Sequence, residues 1–546
     1  MRLRDYQEAA AEGVFREWQE HSSALVVLPT GLGKTVLFAD VIRQMHERGC
    51  RAMVLAHREE LITQAADKIR RVTGLEAQIE MGEYHVQTYF GQMPPVVVST
   101  VQTHCAGGDG AGRMSKFDPQ DFGLVVIDEA HHATAGTYRR CIDWYRQNPD
   151  CKVLGVTATP DRADEAALGA VFESVAYEYG VLQAIQSGWL VPIEQQMVTV
   201  GSLDFSGIRT TAGDLNQGDL AEVMEDERNL QGVAVPTVEI CGDRRAIVFA
   251  ATVEQAERLA EILNRYRPDR AAWLCGKTDK EDRRRMLADF KAGRLQFVVN
   301  VGVLTEGFDD AGVEVVVMAR PTKSRALYAQ MAGRGTRPAE DIAGMLGDVP
   351  TAQERCAMIR ASRKPSCLIV DFAGNAGRHK LCCSADILGG DIDDEVVAEV
   401  SRRVKENGKP VDMAAELEKV KAEIAERKKR EAATRARLQA RANFLVTKID
   451  PFDQWDLTPT QERGWDRHRH FSPKQSQVLL ERIGVDPEKI PYGQGKQLLD
   501  EYFRRINSGM ASLKQAALLK RSGFHIPLRH DMAGRMIGRM RERQGW

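Results

Sequence analysis

Eight residues constrain this chain more than any others: Leu28-Pro29-Thr30-Gly31-Leu32-Gly33-Lys34-Thr35. An apolar run, Ala24 to Leu28, precedes the turn and reads as a buried parallel strand. Val36 to Met45 follows it, with Leu37, Val41, Ile42 and Met45 at helical spacing. Strand, glycine-rich turn and a helix opening on Gly-Lys-Thr is the setting a phosphate-binding loop requires. The glycines let successive N–H groups turn inward around a phosphate, and the helix N-terminus adds its positive end. Thr30, Gly31, Gly33, Lys34 and Thr35 are therefore candidate phosphate contacts. Lys34 would reach the β- and γ-phosphates of a nucleotide, and the Thr35 hydroxyl would coordinate Mg²⁺. The first glycine of the general pattern GxxxxGK[ST] is here Leu28.

A chain of 546 residues has room for several domains, and an apolar fraction of 43% supplies more than one core. The formal net charge of −2 gives no global basicity, although a local basic groove is compatible with it. Ten cysteines are scattered with no CxxC pair, which disfavours a zinc finger or a disulfide framework and fits a reduced compartment. The expected location is the cytoplasm. Met1-Arg2-Leu3-Arg4-Asp5 lacks the apolar core of a signal peptide. No apolar run approaches the ~20 residues that span a bilayer, so no membrane partner is expected.

Residues 1–185 alternate strand candidates (24–28, 52–56, 95–99, 123–127, 152–156) with amphipathic helices such as Glu59 to Arg71 and Thr137 to Arg146. That alternation predicts a parallel sheet covered by helices, with ligands beyond the carboxyl ends of the strands. The fourth candidate runs into Asp128-Glu129-Ala130-His131. Beside a phosphate loop, Asp128 would hold Mg²⁺ and Glu129 would deprotonate the attacking water. His131 and His132 do not stand at HExxH spacing. A relay role is expected for His131 and none for His132.

Together these motifs resemble motifs I and II of superfamily 2 helicases of the DEAH type. Other strings follow in the family's order. Leu3-Arg4-Asp5-Tyr6-Gln7 resembles the upstream glutamine element, which implies that Gln7 reads an adenine edge. Leu55 to Leu61, with Arg58, resembles motif Ia, and Ser99 to Thr103, with Thr100, resembles motif Ib. Both lie on the nucleic-acid side in relatives. Thr157-Ala158-Thr159-Pro160 resembles motif III, which implies that Thr157 and Thr159 couple the nucleotide site to the strand-binding face.

Residues 186–390 repeat the architecture. Ala246 to Thr252, Phe297 to Val301 and Val313 to Met318 read as strands, and Val253 to Leu263 as a helix. Leu304 to Asp309 resembles motif V, which implies that Gly307 and Asp309 face ATP and the bound strand together. Gln330-Met331-Ala332-Gly333-Arg334-Gly335-Thr336-Arg337 carries the QxxGRxxR pattern of motif VI, which adds Gln330, Arg334 and Arg337 to the catalytic set. A guanidinium fork neutralises the charge that develops on a transferred phosphoryl group. Supplied from a second domain, it makes hydrolysis depend on domain closure. Residues 196–236 read as a loop-rich insertion with a short helix, and 338–366 as a second interruption before a strand at Cys367 to Val370.

Within the superfamily, Ile247 to Glu257, Val299 to Asp310 and Arg320-Pro321-Thr322 resemble bacterial RadD-like helicases, a group tied to DNA repair. The likeness covers residues 1–375, and the zinc-module cysteines of that group are absent from the C-terminal part. The resemblance implies an α/β fold with two tandem RecA-like parallel-sheet domains, ATP and Mg²⁺ as cofactors, and nucleic acid, DNA by preference, as partner. A translocase that does not unwind, an RNA helicase and an ATP-switched recruitment protein stay open.

The remainder divides into a charged helical linker, 391–445, and a small mostly α region, 446–546. Met413 to Ala442 reads as one long helix, either a solvated spacer or a basic arm on phosphates. The tail holds a weak repeat. Ser472-Pro473-Lys474-Gln475 precedes Val478 to Leu480 and Gly484; Ser512-Leu513-Lys514-Gln515 precedes Leu518-Leu519 and Gly523. Arg463, Arg467, Arg469, Arg504, Arg505, Lys514, Lys520 and Arg521, with Trp465, Tyr502 and Phe503, could bind nucleic acid; a protein-docking module is the competing reading.

Overall fold

A computed structural model describes residues 3–57, 59–88, 93–106, 113–158, 168–211, 213–305, 307–376, 381–388, 393–446, 451–455, 457–460, 470–512, 515–516, 518–519, 524 and 529–544. Residues up to Ile424 form one compact unit and Ala425 onward a second.

The first unit holds two parallel sheets. In the first lobe the strands are β1 (Ser23–Val27), β2 (Arg51–Ala56), β3 (Ala77–Glu80), β4 (Val96–Thr100), β5 (Phe122–Asp128), β6 (Lys152–Thr157) and β7 (Ser174–Glu178). Their order across the sheet is β3-β4-β2-β5-β6-β1-β7, and every pairing is parallel. The sheet is covered on both faces, which is why β1, β4 and β6 read as near-continuous apolar runs. Alternation assigns the faces. Ala24 and Val26 join Leu37, Val41 and Ile42 of helix Lys34–Glu47, whereas Leu25 and Val27 join Cys141, Ile142 and Tyr145 of helix Gly136–Tyr145. The sequence pattern misses β3 and β7, whose mixed half-buried residues carry no clean period.

The second lobe contains β8 (Ile193–Asp204), β9 (Thr210–Thr211), β10 (Asp214–Leu215), β11 (Ala246–Ala250), β12 (Ala271–Leu274), β13 (Phe297–Asn300), β14 (Val315–Ala319), β15 (Cys367–Asn375) and β16 (Val411–Asp412). Its main sheet runs β12-β13-β11-β14-β15-β8-β16, parallel except for the short β16. The supposed loop-rich insertion is more ordered than the sequence suggested. It opens with the rest of β8, continues through the β9–β10 hairpin and ends in helices Gln217–Met224 and Glu227–Cys241. Leu203, Phe205, Leu215 and Leu220 bury themselves in one apolar cluster, and that burial holds a stretch rich in polar residues.

Helix Met413–Val446 is longer than its sequence pattern indicated. Its first turns are not a solvated spacer. Met413, Leu417, Val420 and Ile424 are buried and join Val396, Val400 and Val404 of helix Asp394–Asn407 in one cluster. Each such side chain contributes about 1.5–3 kcal/mol of burial.

The second unit holds small helical pieces. Ser472 caps helix Pro473–Val478, with its hydroxyl accepting from Gln475 N and the Gln475 side chain accepting from Ser472 N. Ser512 and Gln515 make the same reciprocal pair. Gly484 follows with φ 82°, the left-handed stop expected of glycine. Arg505 is unavailable to phosphates: it is buried, paired to Glu501 at 2.7 Å and set over the Trp455 ring. Arg504 also pairs with Glu501. Arg463, Trp465, Arg467, Arg469, Lys514, Lys520, Arg521 and Gly523 lie outside the described residues. Among the described residues, no helix is long and apolar enough to cross a membrane.

Candidate functional site: a cleft between two RecA-like lobes

The phosphate-loop candidate sits where the strand order of the first sheet places it, beyond the carboxyl end of β1 and next to β6. Gly31 (φ 90°) and Gly33 (φ 73°) both adopt left-handed backbone, which turns the loop ahead of helix Lys34–Glu47. Tyr6 and Gln7 brace it from outside. The Tyr6 hydroxyl donates to Leu32 O at 2.9 Å and the Gln7 amide to Leu32 O at 3.0 Å and Gly33 O at 3.3 Å. Here Gln7, whose motif implies adenine reading, has its amide engaged with the loop.

Lys34 Nζ lies 3.2 Å from Glu129 Oε1, with both side chains nearly buried. Glu129 directly follows β5 in left-handed backbone (φ 49°), one of two described non-glycine residues with positive φ. Such strain costs about 1–3 kcal/mol and gathers at functional positions. Asp128 Oδ1 accepts from Glu129 N at 3.0 Å, and Glu129 Oε2 is buried without a hydrogen bond. His131 reaches Thr157 Oγ1 from Nδ1 at 3.2 Å and approaches Gln330 at 3.5 Å from Nε2.

The second lobe closes the cleft with motifs V and VI. Gln64 donates to Gly307 O at 2.9 Å, and Lys280 pairs with Glu59 at the same distance. Arg334 is buried, and its guanidinium donates to Thr305 O and Phe308 O at 2.6 and 2.5 Å. That binds motif VI to motif V. Arg337 approaches the loop: a methyl group on Gly31 would meet its Cγ at 3.1 Å. It contacts Asp309, and burial together with Arg4 lowers its pKa to about 10, so it stays cationic at neutral pH. Arg58, Thr159 and Glu306 lie outside the described residues. Thr100 caps a short helix at the β4 end by accepting from Thr103 N and is not among the residues lining the cleft cavity.

Between the lobes lies a cavity of about 350 Å³, lined by the loop, Asp128, Glu129, Gly307, Asp309, Arg334 and Arg337. Arg4, Gln64 and Lys68 also line it; the sequence marked none of these three as site residues. Arg4 stood inside the motif string, but Gln64 and Lys68 are ordinary exposed-face helix residues until the second lobe faces them. Five cationic side chains (Arg4, Lys34, Lys68, Arg334, Arg337) meet three acids (Asp128, Glu129, Asp309). Lys68 has its pKa lowered by burial and by its neighbours Arg71 and Arg337. An excess of cations over acids among the described lining residues, beside a buried carboxylate oxygen with no hydrogen bond, fits a polyanion held with a divalent cation.

Residues 1–162 match the family model described as "Type III restriction enzyme, res subunit", and residues 235–339 match "Helicase conserved C-terminal domain". The two lobes carry the domains of a superfamily 2 helicase. The chain is 29% identical over 353 residues to IRC3 of Saccharomyces cerevisiae, a candidate ATP-dependent helicase, with 61% of this chain and 49% of that one covered. It is 26% identical over 349 residues to the DNA 3'-5' helicase XPB of Mycobacterium tuberculosis, with 63% and 59% covered. It thus spans half to three-fifths of the length of these curated relatives. A fragment of a candidate HsdR subunit of a type I restriction enzyme from Vibrio vulnificus YJ016 shares the fold, with TM-score 0.50 and 19% identity over 69% of this chain and 64% of that one.

Tight packing at the mouth of the cleft gives one expected result. A Cβ on Gly333 would lie 2.7 Å from Thr30 Cβ across the cleft and 3.0 Å from Ala329 O of its own turn, whereas the Gly333 backbone is helical (φ −61°), a conformation alanine adopts. Gly333→Ala should therefore keep its melting temperature but resist closure. Overpacking of about 1–3 kcal/mol predicts a KM for ATP raised roughly 10-fold. Steady-state kinetics with thermal denaturation checks both halves.

Proposed function

We propose that this chain is a nucleic-acid-dependent ATPase, a DNA helicase of DEAH type that couples Mg-ATP hydrolysis between its lobes to movement along a strand. The observation that carries it is Lys34 paired to Glu129 in one lobe while Arg337 of the other reaches the same loop. Residues 1–185 and 186–390 would be the motor, the latter buttressed up to Ile424. Residues 391–445 would link it to the helical region 446–546, which would bind DNA or a protein.

ATP supplies the phosphoryl group and Mg²⁺ its charge neutralisation; Thr35 and Asp128 would hold the metal. Within the chain, Lys34 now neutralises Glu129. A polyphosphate competes for Lys34, which would release the Glu129 carboxylate to take a proton from water. Arg337 would leave Asp309 for the transferred phosphoryl oxygens, with Arg334 keeping motifs V and VI in register.

The name of the DNA 3'-5' helicase relative supports DNA as the track. The RadD-like motifs point to repair or recombination as the setting, in the cytoplasm at the nucleoid. Contacts would fall mainly on the phosphate backbone, so affinity should drop steeply and linearly in log–log form with salt. Steady-state ATP hydrolysis with single-stranded, duplex and forked DNA and with RNA tests the reading, with Lys34→Ala as blank. Strong stimulation by a DNA form supports it, stimulation by RNA alone changes the track, and no stimulation by any of them defeats the motor. Triplex displacement without strand separation would make it a duplex translocase.

A further inference from the structure

The carboxyl ends of four adjacent strands carry a row of side chains that the nucleotide site does not account for. Across the sheet the strands run β4-β2-β5-β6. Gln102 follows β4, His57 follows β2, His131 and His132 follow β5, and Thr157 ends β6. Gln102 Nε2 lies 3.1 Å from His57 Nδ1. The His57 ring packs on His132 at 4.8 Å between centroids, and His132 packs on His131 at 4.1 Å. His131 Nδ1 then faces two oxygens, Thr157 Oγ1 at 3.2 Å and Glu129 Oε2 at 3.6 Å. The spacing has a simple origin. Neighbouring strands lie about 4.8 Å apart, which brings His57 at the β2 end against His132 after β5 with the rings tilted by 30°, while His131 and His132 are chain neighbours tilted by 45°.

We infer that His132 and His57 are positioning residues that carry nucleic-acid binding at the strand ends to His131 and so to Glu129. The inference rests on the reading of the chain as a nucleic-acid-dependent ATPase. Gln102 is exposed and stands at the outer end of the row, at the face where ligands of parallel sheets bind. Rings in contact cannot tilt independently. A strand that shifts Gln102 and His57 therefore tilts His132, and His132 tilts His131. The two acceptors differ by 0.4 Å in distance from one nitrogen (3.6 against 3.2 Å), so a small rotation decides between Thr157 and Glu129. Bonded to Thr157, His131 leaves Glu129 to Lys34; turned to Glu129, it orients that carboxylate. Gln330, at 3.5 Å from the other ring nitrogen, makes the choice sensitive to closure of the second lobe as well. Neither His132 nor His57 need touch the nucleotide for this.

The test compares wild type, His132→Ala, His132→Phe and His57→Ala, each with and without single-stranded and duplex DNA. Three quantities are read: the ratio of stimulated to unstimulated kcat, the Kd for a labelled DNA by anisotropy, and Tm. The expected result for His132→Ala is a stimulation ratio reduced at least tenfold, with Kd within about threefold of wild type. His132→Phe, which keeps a flat ring in the row, should recover most of the ratio. His57→Ala, at the half-buried outer side, should show the same loss and covers the case in which His132→Ala fails to fold. A His132→Ala ratio within twofold of wild type would overturn the inference. So would a His132→Phe as uncoupled as the alanine variant, since ring contact is the proposed link. Wild type unstimulated by either DNA, and by RNA measured beside them, would instead defeat the underlying reading, and the inference with it.

Discussion

Glu129→Gln is expected to bind Mg-ATP and nucleic acid while hydrolysing ATP about 10²–10⁴-fold more slowly, the usual contribution of a general base. The amide is isosteric, so the left-handed backbone at φ 49° and the contact with Lys34 Nζ at 3.2 Å can both persist. What disappears is the capacity to accept a proton. The carboxylate is well placed for that role. Its Oε1 faces Lys34, its Oε2 is buried without a hydrogen bond, and Asp128 holds its backbone N–H at 3.0 Å. Single-turnover hydrolysis measured beside equilibrium binding of a fluorescent ATP analogue separates the two effects. Near-normal turnover would remove Glu129 as the base.

Arg337→Ala is the second large effect. Arginine fingers contribute about 10³–10⁵ in rate in related phosphoryl-transfer systems, and a loss of turnover of that size is expected. ATP affinity should suffer less than in Lys34→Ala, because the ground-state phosphates are gripped chiefly by the loop and its lysine. Arg337 also neutralises Asp309, so the alanine variant exposes a carboxylate toward the phosphates. Adding Asp309→Asn separates the contributions. If the double variant regained most of the turnover, the loss would come from the bare carboxylate and not from a missing finger. Equal loss of ATP binding in Arg337→Ala and Lys34→Ala would also count against the assignment. Arg334→Ala should behave differently, since its guanidinium is engaged with Thr305 O and Phe308 O.

The two-sheet fold was legible because its signals are local. A parallel strand covered on both faces must be apolar throughout, and β1, β4, β5 and β6 declare themselves in this way. The loop glycines are legible because left-handed backbone at Gly31 and Gly33 selects that residue type. Strands β3 and β7 were not legible, nor was the order of the insertion around Phe205 and Leu220, since their burial comes from distant partners. Helix Met413–Val446 shows the same limit: its charge pattern reads as solvated, yet Leu417 and Val420 are buried.

The sequence by itself determined the chemistry in each strand-end loop: a lysine and hydroxyl after β1, two acids and two histidines at β5, two arginines in motif VI. Those choices depend on residue type and short spacing, which a one-dimensional string records. Only the tertiary structure decided which loops meet. The order β4-β2-β5-β6 sets His57 against His132, although 75 positions of chain separate them (132 − 57). Lobe closure turns Gln64 and Lys68 into cavity walls, ties Arg334 to Thr305 O and brings Arg337 to Gly31 of the loop. The physical reason is that strand order and lobe closure arise from the summed burial of whole faces, which no short stretch of residues encodes.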